Sequence, residues 1–162
     1  MKDLNIVFAG FGGQGILFAG KVVAYAGLIE GRELSWLPSY GPEMRGGTAN
    51  CSICLSDEPI GSPLVTNPNV LIAMNRPSLD KFVNEERVER DDVTVFYVPA
   101  SKLAEENGLK GLANIILVGK LRKELAFCTE ETLDKALQKC IPARKADMLG
   151  FNRKALEIGK AQ

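Results

Sequence analysis

Short apolar runs alternate with longer apolar stretches along this chain, and the alternation predicts strands interleaved with helices. Strands are predicted where short runs are rich in β-branched or aromatic residues, at residues 4–9, 33–37, 48–55, 70–74 and 93–98. Helices are predicted over longer stretches or behind helix-start signals, at residues 16–29, 77–82, 99–107, 112–127, 129–140 and 146–160. This order predicts an α/β fold, a three-layer α/β/α sandwich with a largely parallel or mixed sheet and a Rossmann-like start, formed by residues 1–162 as a single domain.

A glycine-rich turn joins the first predicted strand to the first predicted helix. Its G-x-G-x-x-G spacing is typical of phosphate-binding loops in this strand-to-helix context. Glycines let the backbone turn sharply, and the start of the helix offers unpaired N–H groups to an anion. A turn whose glycines serve only close packing is the structural alternative. The binding candidates in this turn are Gly10, Gly12, Gly13, Gln14 and Gly15.

An irregular loop follows the second predicted strand. It combines glycines and a proline with one acid and one base, and long irregular loops inside compact domains are often functional. Open α/β sheets place ligands at the carboxyl ends of their strands, so we expect both loops, on neighbouring strands, to share one edge. A purely structural loop is the alternative. The further binding candidates are this loop and the residue that ends the fourth predicted strand: Ser39, Tyr40, Gly41, Pro42, Glu43, Met44, Arg45, Gly46, Gly47, Thr48 and Asn75.

A dinucleotide-binding domain needs one more feature, an acid at the end of the second strand that binds the ribose. Glu30 and Glu33 fall in the right sequence window, but they precede or open that strand rather than end it. A free-standing NAD- or FAD-type binding domain is therefore kept only as the alternative interpretation of the glycine turn.

Composition narrows the chemistry of the chain. Its 20 basic and 20 acidic residues give no electrostatic case for nucleic acid or an anionic membrane, and its apolar runs are too short to cross a bilayer. The chain runs from its N-terminus straight into a strand, which predicts a cytoplasmic protein. Because it contains no histidine, the commonest general acid–base and metal ligand is missing. These features predict a binding and assembly unit without catalytic residues.

The four cysteines are predicted to be buried, reduced thiols. Cys51 and Cys54 form a C-x-x-C pair within a predicted strand, where residues three apart point to opposite faces and cannot hold one metal ion. Cys128 and Cys140 lie at no ligand spacing. A four-cysteine iron–sulfur site is the alternative that these spacings disfavour, and no metal site is predicted.

Three motifs in order give the chain a family resemblance. The glycine turn at residues 10–15, the loop at residues 39–47 (SYGPEMRGG) and the stretch at residues 70–80 (VLIAMNRPSLD) resemble the gamma subunit of 2-oxoacid:ferredoxin oxidoreductases, and the 2-oxoglutarate (KorC-like) branch is the most similar. The resemblance runs from about Leu4 to Gly159 and includes Leu112-Ala113-Asn114. One departure is the charged run at residues 85–92, where family members usually carry a glycine-containing turn and another strand.

The resemblance implies an activity that is shared with other subunits. The family oxidatively decarboxylates a 2-oxoacid with coenzyme A (CoA), giving an acyl-CoA, carbon dioxide and reduced ferredoxin. It implies that thiamine diphosphate, iron–sulfur clusters and magnesium are held by alpha, beta and delta-type subunits, with CoA as co-substrate and no cofactor bound by this chain alone. An accessory subunit of this kind is expected to be inactive in isolation and able to form a homodimer.

The resemblance also gives the two loops expected roles. Tyr40, Met44 and Arg45 are expected to anchor the partner subunits, because buried aromatic and arginine side chains dominate many interfaces. The backbone amides of the glycine turn and the Arg45 guanidinium are expected to bind a phosphate of CoA.

Overall fold

The computed structural model describes residues 3–39, 48–82, 94 and 96–162. The elements in these residues confirm the predicted α/β class, and four of the five predicted strands and all of the predicted helices are present. In chain order they are β1 (Leu4–Phe11), α1 (Ile16–Ile29), β2 (Glu33–Ser39), β3 (Thr48–Ser56), β4 (Val70–Ala73), α2 (Arg76–Phe82), α3 (Ala100–Glu106), α4 (Ala113–Leu125), α5 (Glu130–Cys140) and α6 (Met148–Lys160).

The four strands form a mixed sheet in the order β2-β3-β1-β4. β4 is parallel to β1, whereas β3 is antiparallel to both β1 and β2. β1, β2 and β4 therefore run in one direction and end at the same edge of the sheet, where β3 begins. The expectation that the two loops follow neighbouring strands is wrong, because β3 pairs between β1 and β2. The edge itself is shared as expected.

Helices cover both faces of the sheet, as predicted. On one face Ile6, Phe8 and Ile53 are buried in a core that α1 and the C-terminal helices complete. α5 packs against α1, and α6 packs against α4 as a further layer. On the other face Val7 and Ala9 pack with Phe82 of α2. The alternation of side chains along β1 thus divides the core between α1 on one side and α2 on the other.

The predicted strand at residues 93–98 is wrong in its described part. Residues 94 and 96–98 form no strand and lead directly into α3. Phe96 instead lies against α4, where the Lys120 ammonium sits 4.2 Å from the centre of its ring, and Val98 packs against the main core. Phe96 and Val98 thus pack without forming a strand, whereas Tyr97 is 93% exposed. Such side-chain packing is much of what β-propensity measures. The charged run at residues 85–92 lies outside the described residues.

The start of α5 shows how local sequence fixes a helix end. The Thr129 hydroxyl accepts a hydrogen bond from the backbone N–H of Thr132 at 3.1 Å, and Glu130 and Glu131 occupy the first turn. Such caps and acidic residues stabilise a helix N-terminus, so the predicted start at Thr129 is confirmed. In the described part of the chain, every helix is too short or too polar to cross a membrane.

The cysteines are free and buried, as predicted. The Cys51 thiol donates to the Ile16 carbonyl oxygen at 3.7 Å on the α1 face, whereas the Cys54 thiol faces the Pro63 carbonyl oxygen at 3.9 Å. Burial raises the pKa of Cys51 and of Cys128 to about 12, so these thiols stay protonated. Among the described residues, no group of three or more histidine, cysteine, aspartate or glutamate side chains could hold a metal ion.

Candidate functional site

The candidate site lies between the carboxyl ends of β1 and β4, and this position is called the crevice. After β1 the chain passes through α1 to β2, which lies to one side of β1 in the strand order. β4 lies to the other side of β1. The helices that follow β1 and β4 cover opposite faces. β1 and β4 therefore flank a topological switch point, which is where open α/β sheets bind their ligands.

The glycine turn lines one wall of this crevice. Its backbone bends sharply, with the Gln14 N–H donating to the Phe11 carbonyl oxygen at 3.2 Å and with left-handed φ values of 89° at Gly13 and 72° at Gly15. Gly15 is the N-cap of α1 and supplies no side-chain hydrogen bond to the first turn of the helix. Backbone N–H groups at such a helix start attract oxygen atoms that carry negative charge.

The Gln14 side chain connects the glycine turn to the opposite wall. Gln14 Oε1 accepts hydrogen bonds from the Phe11 N–H at 2.6 Å and from Asn75 Nδ2 at 2.8 Å. Gly10 makes room for this carboxamide, because a Cβ atom there would lie 2.8 Å from Gln14 Oε1 and 3.1 Å from the Met74 Cβ. The structure therefore brings Gly10, Gln14 and Asn75 together, although 61 residues separate the last two.

Asn75 has a second bond, to the start of α2. Its Oδ1 accepts from the backbone N–H of Ser78 at 2.9 Å and thereby caps the helix. Both polar ends of the Asn75 carboxamide are thus used, one on α2 and one on Gln14. This residue couples the position of α2 to that of the glycine turn.

Asn114, which entered the sequence analysis only as part of the family resemblance and without a role, contacts the glycine turn. It lies at the start of α4, is 3% exposed, and donates from Nδ2 to the Gly15 carbonyl oxygen at 2.9 Å. Its Oδ1 is buried without a hydrogen-bond partner among the described residues. The signal was one amide at the start of a predicted apolar helix, but nothing in the sequence indicates a partner in the glycine turn.

The described ends of the irregular loop, Ser39 and Thr48, lie at the same edge of the sheet. Ser39 ends β2 opposite Asn50 of β3, and Thr48 begins β3 opposite Phe11. Ser39 is exposed, and two strand spacings place it about 10 Å from β1. The residues between them lie outside the described residues, so their expected roles stay predictions: Tyr40, Gly41, Pro42, Glu43, Met44, Arg45, Gly46 and Gly47.

The two acids considered for a ribose site lie elsewhere. Glu33 begins β2 and pairs with Ser56, at the sheet edge opposite the glycine turn. Glu30 Oε1 accepts from the Thr129 N–H at 2.8 Å, and this hydrogen bond is the main reason why the pKa of Glu30 is lowered. Because β3 also separates β2 from β1, the arrangement disfavours the NAD- or FAD-type alternative.

A separate cavity opens at the other end of β1. It has a volume of about 280 Å³ and is lined by Asp3, Asn5, Cys54 and residues of the segment between β3 and β4. Its walls lie at the amino end of β1, so it is distinct from the crevice beside Gln14.

Comparison with known proteins places these features in one family. The model of the family described as pyruvate ferredoxin/flavodoxin oxidoreductase matches residues 5–162. The ketoisovalerate oxidoreductase subunit VorA of Methanothermobacter marburgensis is 35% identical over 98% of this chain and 36% of its own length. The 2-oxoglutarate synthase subunit KorC of Methanocaldococcus jannaschii is 33% identical over 96% of this chain and 94% of its own length.

A solved structure shows the same architecture. The 2-oxoglutarate:ferredoxin oxidoreductase from Magnetococcus marinus, with 2-oxoglutarate, coenzyme A and succinyl-CoA bound, superimposes with a TM-score of 0.84 at 25% identity. The match covers 99% of this chain and 31% of that one. The chain thus spans about a third of the longer proteins that it matches, and nearly the whole of the KorC subunit.

Proposed function

The chain belongs to the pyruvate ferredoxin/flavodoxin oxidoreductase family, and from that premise we propose that it is the gamma-type subunit of a CoA-dependent 2-oxoacid:ferredoxin oxidoreductase. The complex would decarboxylate a 2-oxoacid oxidatively, form an acyl-CoA and reduce ferredoxin. We propose 2-oxoglutarate as the substrate, because the KorC relative is matched over nearly its whole length as a separate subunit.

The crevice at the switch point is the observation that carries this proposal. It offers backbone N–H groups of the glycine turn and the Gln14 carboxamide nitrogen, which Asn75 helps to orient, and these are donors suited to phosphate oxygen atoms. The matched oxidoreductase structure contains bound CoA, whose phosphates have this chemistry. We assign the crevice to a CoA phosphate, with Arg45 of the neighbouring loop as the proposed charged partner.

The catalytic cofactors are assigned to the partner subunits. The described residues hold no cluster of metal-ligating side chains, and burial keeps the thiols of this chain protonated. Magnesium and iron–sulfur clusters therefore find no ligand group in the part of the chain that the structure describes, and thiamine diphosphate is assigned to the partner subunits together with its magnesium ion. The proposed role of this subunit is to help bind CoA and to complete the complex.

The same edge is the proposed docking face for alpha, beta and delta-type subunits. Phe11 and Leu37, on strands that end there, are 37% and 41% exposed, and such apolar side chains favour a partner surface. Tyr40, Met44 and Arg45 are the proposed anchors. Ferredoxin would contact the assembled complex, and the isolated chain could pair with itself through this face. The free thiols suit a reducing cytoplasm.

A comparison of CoA and NAD binding tests the assignment. The tagged chain, isolated anaerobically with its partners, should bind CoA saturably and show no saturable NAD binding. Arg45→Ala should raise the KM for CoA or weaken assembly, whereas Arg144→Ala, on the exposed turn before α6, should do neither. Saturable NAD binding without CoA binding would favour the dinucleotide-binding alternative. Wild-type KM and assembly in Arg45→Ala would remove Arg45 from the site.

A further inference from the structure

The orientation of the Gln14 carboxamide is fixed by its neighbours. A carboxamide has an oxygen that accepts and a nitrogen that only donates. The Ser78 backbone N–H must donate, so Asn75 turns its Oδ1 toward Ser78 and its Nδ2 toward Gln14. Gln14 therefore meets two donors, Asn75 Nδ2 and the Phe11 N–H, and only its oxygen can face them.

This orientation directs the other end of the carboxamide away from both donors. Turning Gln14 over would set its nitrogen against two N–H donors and leave three groups without a protein acceptor, so the observed orientation is the one that satisfies the most hydrogen bonds. Gln14 is half-buried in the crevice, and its Nε2 has no acceptor among the described residues. A donor held rigidly without an acceptor at a switch point is ready for a ligand oxygen.

We propose that Gln14 Nε2 donates a hydrogen bond to a phosphate oxygen of the ligand bound at the glycine turn, and that Asn75 is the positioning residue that holds it for this contact. This inference rests on the proposed function, because it needs a phosphate-bearing ligand in the crevice. It adds a specific contact: Gln14 selects an oxygen acceptor, and Asn75 acts only through Gln14. It also explains why Gly10 leaves space for the carboxamide.

Two substitutions test the donor role of Gln14 and the positioning role of Asn75 separately. Gln14→Glu keeps an oxygen for the Phe11 N–H and for Asn75 Nδ2, but it replaces the ligand-facing donor by a negatively charged acceptor. Asn75→Asp keeps the oxygen that caps α2, but it loses the donor that orients Gln14 and offers Nε2 a competing carboxylate. Gln162→Glu, at the exposed C-terminal end of the chain, is the control for added charge.

The test measures CoA affinity by titration calorimetry and the thermal midpoint of the same assembled complexes. We expect Gln14→Glu to weaken CoA binding by about tenfold or more, because a charge-assisted hydrogen bond is replaced by repulsion. Its thermal midpoint should stay equal or rise, since a carboxylate just before α1 favours the helix N-terminus. Asn75→Asp should weaken binding by about threefold to tenfold through loss of one hydrogen bond, and Gln162→Glu should leave it unchanged.

The possible outcomes distinguish a failure of the proposed Gln14 contact from a failure of the proposed function. If wild-type complex binds CoA and both variants bind it within twofold of wild type, the role of Gln14 is overturned while the proposed function stands. If Gln14→Glu lowers both the thermal midpoint and the affinity for CoA, Gln14 serves only to stabilise the fold and the inference also fails. If the wild-type complex does not bind CoA, the proposed function itself fails.

Discussion

Asn114 Nδ2 donates to the carbonyl oxygen of Gly15 at 2.9 Å, across 99 residues of sequence. This hydrogen bond joins α4 to the one residue that both ends the glycine turn and caps α1. A Cβ atom on Gly15 would lie 2.5 Å from the same Nδ2. The glycine turn is thus held from the helical layer by Asn114 and from the α2 side by Asn75, and its shape depends on both.

Gly15→Ala should therefore cost more stability than Gly13→Ala. Both residues have left-handed φ values, so each alanine meets backbone strain of about 1–2 kcal/mol. Only the Gly15 position has a neighbour in the way, whereas a Cβ on Gly13 meets nothing within 4 Å. We expect Gly15→Ala to lower the free energy of unfolding by about 1–2 kcal/mol more than Gly13→Ala, measured by urea denaturation. Equal losses would contradict the contact with Asn114.

Removing Asn114 should relieve that extra cost. Asn114→Ala alone should destabilise the chain by about 1 kcal/mol, because a hydrogen bond is lost while an unpaired buried oxygen is also removed. In the Asn114→Ala background, Gly15→Ala should then cost no more than Gly13→Ala does. A double-mutant cycle from urea denaturation measures this coupling. Strict additivity of the two substitutions would show that Asn114 does not constrain Gly15.

The cysteines should be unreactive until the chain unfolds. Burial raises the pKa of Cys128 to about 12 and of Cys140 to about 11, so the reactive thiolate is scarce in the native state at pH 8. An aromatic disulfide reagent should therefore modify native protein slowly and the urea-unfolded chain rapidly at all four thiols. Rapid modification of a thiol in native protein at pH 8, without urea, would show that burial at that site is wrong.

The same thiols should make the fold weaken in alkali. Their unfolded-state pKa is 9.0, below the folded-state values of about 12 for Cys51 and Cys128. Between these values the unfolded chain loses protons that the native chain keeps, so the free energy of unfolding falls as pH rises. Cys128→Ala should reduce this decline, measured by urea denaturation from pH 8 to 11. An unchanged decline would contradict a contribution from Cys128.

Glu30 should contribute stability that is lost in acid. Its pKa is lowered from 4.5, mainly by the hydrogen bond from the Thr129 N–H, so its contribution is present above pH 4.5 and disappears as pH falls through the folded-state value. Glu30→Gln keeps an acceptor but loses the charge near α5, which should cost about 0.5 kcal/mol at pH 7. Wild type and variant should converge in acid, where the Glu30 carboxyl is protonated. A difference that stays constant from pH 7 to acid pH would contradict it.

The sequence predicted the positions of helices and strands along the chain better than it predicted which strands pair in the sheet. The extent of α1 was predictable because its apolar stretch is bounded by Gly15 and by Glu30, and Thr129 marked the start of α5. The insertion of β3 between β1 and β2 was not, because alternation along a strand tells which residues share a face but not which strand pairs with it. The strand prediction failed at residues 96–98, because an aromatic side chain such as Phe96 also suits a segment that packs on a helix.

The candidate site was likewise predictable only in part. The glycine turn was visible as a spacing with a known physical use, and Asn75 followed from the end of a predicted strand. The contact between Gln14 and Asn75 could not be predicted from the sequence, since it depends on how β1 and β4 pair in three dimensions. Asn114 was missed for the same reason, because its only described side-chain partner is a backbone oxygen far away in sequence.

The most direct test is the activity of the complex that contains this chain. The tagged chain is purified anaerobically from native extract and assayed for reduction of a viologen dye with 2-oxoglutarate, pyruvate and branched-chain 2-oxoacids, with and without CoA. The account predicts larger co-purified subunits and CoA-dependent reduction that is fastest with 2-oxoglutarate. A lone chain that supports no reduction with any of these acids, yet binds NAD saturably, would contradict it.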